Sequence, residues 1–149
     1  MAIKTHHRQQ LLQQIMENAA ALYRMMGSSR DKFLTSLGVN KPQVEILFLL
    51  SKQSMSVKSI AEKLHVTSGA VSQIVENLVK SGLIQRETSP TDRRGVVVSL
   101  SLEGKVRFKM IKKAYMKRME VMLSTIADDQ LESLRTITNQ MIIAIEEKK

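Results

Sequence analysis

Two arginines, Arg93 and Arg94, stand side by side in the segment Ser89-Pro90-Thr91-Asp92-Arg93-Arg94-Gly95, between the β-prone runs Leu83 to Thr88 and Val96 to Leu100. Guanidinium groups at a hairpin tip suit phosphates and the strong negative potential of a narrow, A·T-rich minor groove. Asp92 is a poor phosphate contact, but a carboxylate can fix a neighbouring guanidinium by a bidentate pair and aim it. Upstream, residues Ser68 to about Lys80 sort by angle as a helix. Val71, Ile74, Val75 and Leu78 fall together and must face a core, whereas Gly69, Gln73, Glu76 and Lys80 point away, flanked by Ala70, Ser72 and Asn77. Thr67 suits the N-cap, which leaves free N–H groups and a positive dipole end for a phosphate. Ser68, Ser72 and Gln73 bring short or bidentate hydrogen-bonding groups; glutamine matches the N6/N7 edge of adenine, and Ala70 can touch a thymine methyl. The helix has no arginine, so the commonest guanine contact is missing from it. Arg86, in the first β-prone run, joins the same candidate set.

Each feature has a plainer reading. The helix is also an ordinary surface helix with a polar outer face, and the tip is also a solvated turn whose ion pair adds little stability. Their order along the chain favours function. A short amphipathic helix from Val57 to Leu64, capped by Ser56, breaks at His65-Val66; the second helix follows, and Gly82 stops it before the cationic hairpin. A helix suited to the major groove with a basic hairpin beside it reads a duplex, so DNA binding is the expectation.

The elements that must carry this centre are helical. Leu12, Ile15, Ala19, Leu22 and Met26 recur at spacings of three and four, predicting helix from about 9 to 33 with a kink or break at Gly27-Ser28-Ser29. Asn40 and Pro42 mark the start of a further helix. Its run Val44, Ile46, Leu47, Leu49 and Leu50 is apolar nearly all round, which predicts burial. Ser101 caps a long helix of about 24 residues with a near-heptad seam through Phe108, Ile111, Tyr115, Met119, Met122 and Ile126. Leu131, Leu134, Ile137, Met141 and Ile145 mark a last helix. Long amphipathic helices at both ends need a surface to bury against, and a second copy of the chain would serve.

Composition bounds the alternatives. The chain has 149 residues, 43% hydrophobic and 25% charged, enough for one domain with a real core. Its 23 Lys and Arg against 14 Asp and Glu give a formal charge of +9, which favours a polyanionic partner. No apolar run approaches the ~20 residues of a bilayer span and no signal-peptide core opens the chain, so a cytoplasmic location is expected. With no Cys there is no disulfide, thiolate zinc site or thiol switch. An enzyme would need a nucleophile–base pair or a carboxylate constellation. Ser29-x-x-Lys32 is a chance match, and no phosphate-cradling glycine loop occurs. No enzymatic activity and no cofactor are expected. Lys105 to Arg118 holds seven basic residues and no acid, but they surround the helix instead of opposing a bulky apolar face, which argues against a membrane surface.

The run Asp92-Arg93-Arg94-Gly95-Val96-Val97-Val98-Ser99-Leu100-Ser101-Leu102-Glu103-Gly104 resembles the wing signature of the MarR (multiple antibiotic resistance regulator) family: D-x-R, an alternating strand, then L-[ST]-x-x-G. Ile60 to Leu64, Val71 to Leu78 and Ser81-Gly82-Leu83-Ile84 follow the family's order and spacing, so the strong similarity spans about 38 to 104. The resemblance implies a mainly α winged helix-turn-helix with a two-stranded β-wing and long terminal dimerisation helices. On that reading 1–149 is a single domain, 38–101 is the DNA-binding part, and 1–36 and 102–149 are the dimerisation helices. It also implies a homodimeric regulator, expected to be a repressor, on a pseudo-palindromic duplex, with Arg94 as minor-groove residue and Asp92 as its brace. The candidate DNA-binding set is then Thr67, Ser68, Gly69, Ala70, Ser72, Gln73, Asn77, Arg86, Asp92, Arg93 and Arg94. Two departures are modest. Ser101 stands where Thr is frequent, and Ala127 stands where a capping hydroxyl is usual, so Asp128 is expected to cap the last helix instead.

Many relatives bind small aromatic or phenolic acids, and an effector pocket here would draw on Met16, Tyr23, Met26, Phe48 and Met110. Such residues at helical spacing are more often core than pocket. A metal site is not expected: His6 and His7 read as a surface pair, and His65 at a helix end as a dipole-complementing or packing residue. The rival function is a nucleoid-type protein that coats DNA without sequence choice.

Overall fold

The computed structural model describes the backbone of residues 2–88 and 95–148, and the side chains of all of these except 2–5 and 28. Among the described residues six helices and a two-stranded antiparallel sheet follow in order: α1 (Ala2–Ser36), α2 (Lys41–Leu50), α3 (Val57–Leu64), α4 (Ser68–Lys80), β1 (Ile84–Thr88), β2 (Val96–Leu100), α5 (Leu102–Met122) and α6 (Asp128–Glu146). This is the mainly helical winged helix-turn-helix arrangement expected from the sequence. The chain divides into two compact units, 1–108 and 109–149. Among the described residues no helix is long and apolar enough to cross a membrane.

Capping residues set most boundaries of the first unit. Asn40 opens α2 with a reciprocal pair: its side chain accepts from the Gln43 amide (3.0 Å), and the Gln43 side chain accepts from the Asn40 amide (2.9 Å). Ser56 Oγ accepts from the Ser59 amide at the start of α3. The core gathers Ile46, Leu47 and Leu50 of α2, Ile60 and Ala61 of α3, Val71, Val75 and Leu78 of α4, and Ile84, Val98 and Leu100 of the sheet. Met55 extends that sheet, pairing with Val98 through two backbone hydrogen bonds of 2.9 and 3.1 Å. Arg107, in the first turns of α5, donates to the Leu37 carbonyl just past α1, where a cation complements the helix dipole.

Four expectations need correction. α1 runs unbroken through Gly27-Ser28-Ser29, because one interior glycine costs only ~1 kcal/mol, less than a break in the ladder. α2 is buried on one face and not all round: Val44 and Leu49 are half-buried and Phe48 is exposed. α5 ends at Met122, after 21 residues. Asp128 is the first helical residue of α6, not its cap; Ala127 holds the cap position, and its amide donates to Gln130 Oε1. Asp128 and Asp129 then sit in the first turn, where the dipole favours acids.

Both units leave apolar side chains in the open. On α1 these include Leu12, Ile15, Met16, Leu22, Tyr23 and Met25; on α6 they include Leu134, Ile137, Met141, Ile142 and Ile145.

Candidate nucleic-acid interface

The turn between α3 and α4 depends on His65, which adopts the left-handed conformation (φ 54°, ψ 43°) and ends α3. Few residues other than glycine tolerate this region, and histidine is among those enriched there. Val66 then donates back to the Ala61 carbonyl at 3.1 Å, so the chain reverses within two residues. His65 is thus a conformational residue of the turn, beyond the dipole or packing role expected of it.

Thr67 caps α4, its Oγ1 accepting from the Ala70 amide at 3.3 Å. The amides of Ser68 and Gly69, in the first turn, have no intrahelical acceptor and mark the positive end of the helix. Buried Val71, Val75 and Leu78 fix the rotation of α4 about its axis. That rotation leaves Ser68, Gly69, Ala70, Ser72, Gln73 and Asn77 exposed together on the outer face. Seven of the predicted residues, Thr67 included, therefore share one helix and its cap.

Arg86 comes from β1, opposite Val98 of β2, and reaches α4 through an ion pair that no spacing in the sequence marks. Its Nη2 donates to Glu76 Oε2 at 2.9 Å. The hairpin is paired from Ile84↔Leu100 to Thr88↔Val96, and Asp92, Arg93 and Arg94 lie outside the described residues.

The root of the wing is locked to the end of α4. Gly82, at φ 74°, turns the chain out of the helix, and Leu83 donates to the Leu78 carbonyl at 3.0 Å. Ser101 Oγ donates to the Gly82 carbonyl and accepts from the Gly104 amide at 2.9 Å, so one hydroxyl caps α5 and clips it to the end of α4. Gly104 packs so tightly that a Cβ there would lie 1.8 Å from the Leu83 carbonyl oxygen. The serine and glycine of the L-[ST]-x-x-G motif thus hold the root of the hairpin against the end of α4.

None of the five effector candidates is among the residues lining the cavity at the wing root. Met16, Tyr23, Phe48 and Met110 are exposed and Met26 is half-buried. Phe48 packs edge-on to Phe108, with centroids 6.4 Å apart, beneath the Lys52 ammonium, 5.4 Å from its ring centre. A cavity of about 360 Å³ instead lies at the wing root, lined by Leu50 to Ser54, Gln85, Glu87, Ser99, Leu100 and Lys105. There Ser99 and Gln85 both donate to Glu87 Oε1 at 2.6 Å, and with Lys105 nearby they hold its carboxyl below the usual carboxylate range. Nothing local in the sequence marks that cavity, since its walls come from four separate segments.

The MarR family model matches residues 39–96. The transcriptional repressor MdtR of Bacillus subtilis (strain 168) is 29% identical over 141 residues, spanning 92% of this chain and 89% of that protein. The crystal structure of the YusO protein of Bacillus subtilis is 27% identical, with a TM-score of 0.70 over 91% of this chain and 96% of that one. A crystal structure of MarR shares the fold at a TM-score of 0.75 and 19% identity, over 87% of this chain and 91% of that one.

Proposed function

Because this chain belongs to the MarR family of DNA-binding transcriptional regulators, we propose that it is a sequence-specific repressor that binds a pseudo-palindromic site as a homodimer in the cytoplasm. The observation that carries this is the outer face of α4, where Ser68, Gly69, Ala70, Ser72, Gln73 and Asn77 are presented by a helix whose rotation the buried Val71, Val75 and Leu78 fix. Polar, short and bidentate side chains on a rigid helix suit base edges in the major groove. Arg86, paired with Glu76 of α4, supplies a cation beside it, and the expected roles of Arg94 as minor-groove residue and Asp92 as its brace, with Arg93 as a further cation, complete the proposed contact set.

The dimer is supported by the apolar side chains left open on α1 and on α6, more than a solitary soluble chain normally exposes. Repression is supported by the similarity to MdtR, which is named a repressor. Release by a small aromatic or phenolic effector completes the reading, with no cofactor, metal or membrane required.

Selection of bound sequences from a random duplex pool tests the proposal. Enrichment of two inverted half-sites about one helical turn, ~10 bp, apart is the expected result. Recovery of an unenriched pool with tight binding would overturn it in favour of a DNA-coating protein. A panel of hydroxybenzoic acids, scored for release of the selected duplex, tests the effector.

A further inference from the structure

Glu76 places a carboxylate near the face of α4 proposed to meet a polyanion, where charge alone makes it unfavourable. Its partner Arg86 supplies the guanidinium that α4 itself lacks. The two side chains are 45% and 53% exposed and sit 2.9 Å apart, and an ion pair that open to solvent contributes little to stability. A stabilising role therefore does not account for an acid there.

We propose that Glu76 is a positioning residue for DNA binding, holding the Arg86 guanidinium beside α4 so that its remaining N–H donors meet a phosphate flanking the groove. This rests on the DNA-binding reading above and adds a role for an acid that charge counting would assign to repulsion. The geometry suits the task because both partners stand on fixed backbone. Val75 and Leu78, on either side of Glu76, are buried. Arg86 lies in the middle of a paired strand, and Leu83, joining strand to helix, is tied to Leu78 at 3.0 Å. A guanidinium offers five N–H donors in a planar fork, and the pair to Glu76 occupies one of them. An arginine already held loses less side-chain freedom on docking than a free one.

The test uses the full chain and four variants, Glu76→Gln, Glu76→Asp, Arg86→Ala and the double Glu76→Gln/Arg86→Ala. Affinities are measured on a selected duplex and on a random one across a salt series, alongside melting curves. Arg86→Ala should weaken both duplexes and lower the log–log salt slope by ~0.9 for each phosphate that Arg86 had neutralised. Glu76→Gln should weaken both by ~5- to 10-fold although it removes a negative charge, with melting unchanged, and the double variant should be no weaker than Arg86→Ala alone. Glu76→Asp should recover part of the loss. Equal or tighter binding by Glu76→Gln overturns the proposal, as does a loss that adds in full to that of Arg86→Ala. A loss matched by a fall in melting temperature also overturns it, since that marks a structural role. Should the unaltered protein fail to prefer the selected duplex, the sequence-specific reading fails, while the Glu76 comparison on random duplex still decides this one.

Discussion

Gly104→Ala is the sharpest perturbation of the wing root. Its added Cβ would lie 1.8 Å from the Leu83 carbonyl oxygen and 2.8 Å from the carbonyl carbon, whereas ordinary contact begins near 3.4 Å. Both obstacles are backbone, so no rotamer change relieves them. The first turn of α5 must retreat from Leu83 by about 1.6 Å, and overpacking of this kind costs ~1–3 kcal/mol. The retreat also pulls Ser101 from its two partners. Losing the cap to the Gly104 amide costs ~1 kcal/mol, and losing the bond to the Gly82 carbonyl costs about another. A destabilisation of ~3–5 kcal/mol is expected, which for a chain of this size lowers the melting temperature by roughly 6–20 °C. Urea titration at fixed protein concentration measures it. Gly27→Ala is the matched comparison, because a Cβ there meets nothing within 4 Å and should stabilise α1 by ~0.5–1 kcal/mol. A loss below ~1 kcal/mol at Gly104, within the range of ordinary surface changes, would refute the close-approach argument.

Other outcomes follow from the same geometry. Gln73→Ala should cost ~1–3 kcal/mol per half-site on the preferred duplex and spare random duplex, measured by titration on both; equal losses would remove Gln73 from the base readers. Arg94→Ala should reduce affinity at least ~10-fold and lower the salt slope by ~0.9 per neutralised phosphate, and Asp92→Ala should weaken binding with the circular dichroism unchanged. Tighter binding by Asp92→Ala would leave Arg93 and Arg94 as general phosphate contacts. Removing residues 129–149 should yield a poorly folded or aggregating chain, and sedimentation of the full-length protein as a stable, well-folded monomer at micromolar concentration would contradict the dimer.

What the sequence made legible was local. Asn40, Ser56, Thr67 and Ser101 are caps whose partners lie three residues away, and Gly82 is a stop, so boundaries near them were readable from spacing alone. The inward face of α4 was readable because helical periodicity decides it. Interactions between distant segments were not. Arg86 meets Glu76 across a helix–strand turn, and Arg107 meets the Leu37 carbonyl 70 residues away. Gly104 could be seen as a motif letter, but its reason, the Leu83 carbonyl, exists only after α5 packs. One miss had a visible signal: Gln130, three residues after Ala127, fits the back half of a capping box and marks Ala127 as the cap position. At Gly27 the opposite holds: a local helix-breaking preference is outweighed by a 35-residue hydrogen-bonded ladder.

The most direct measurement is the ratio of affinities for the selected duplex and for a scrambled duplex of equal length, with the full-length protein at one fixed, near-physiological salt concentration. Sequence-specific regulation through the outer face of α4 predicts a ratio of ~10³ or more. A ratio near one would contradict it and leave a basic protein that coats DNA.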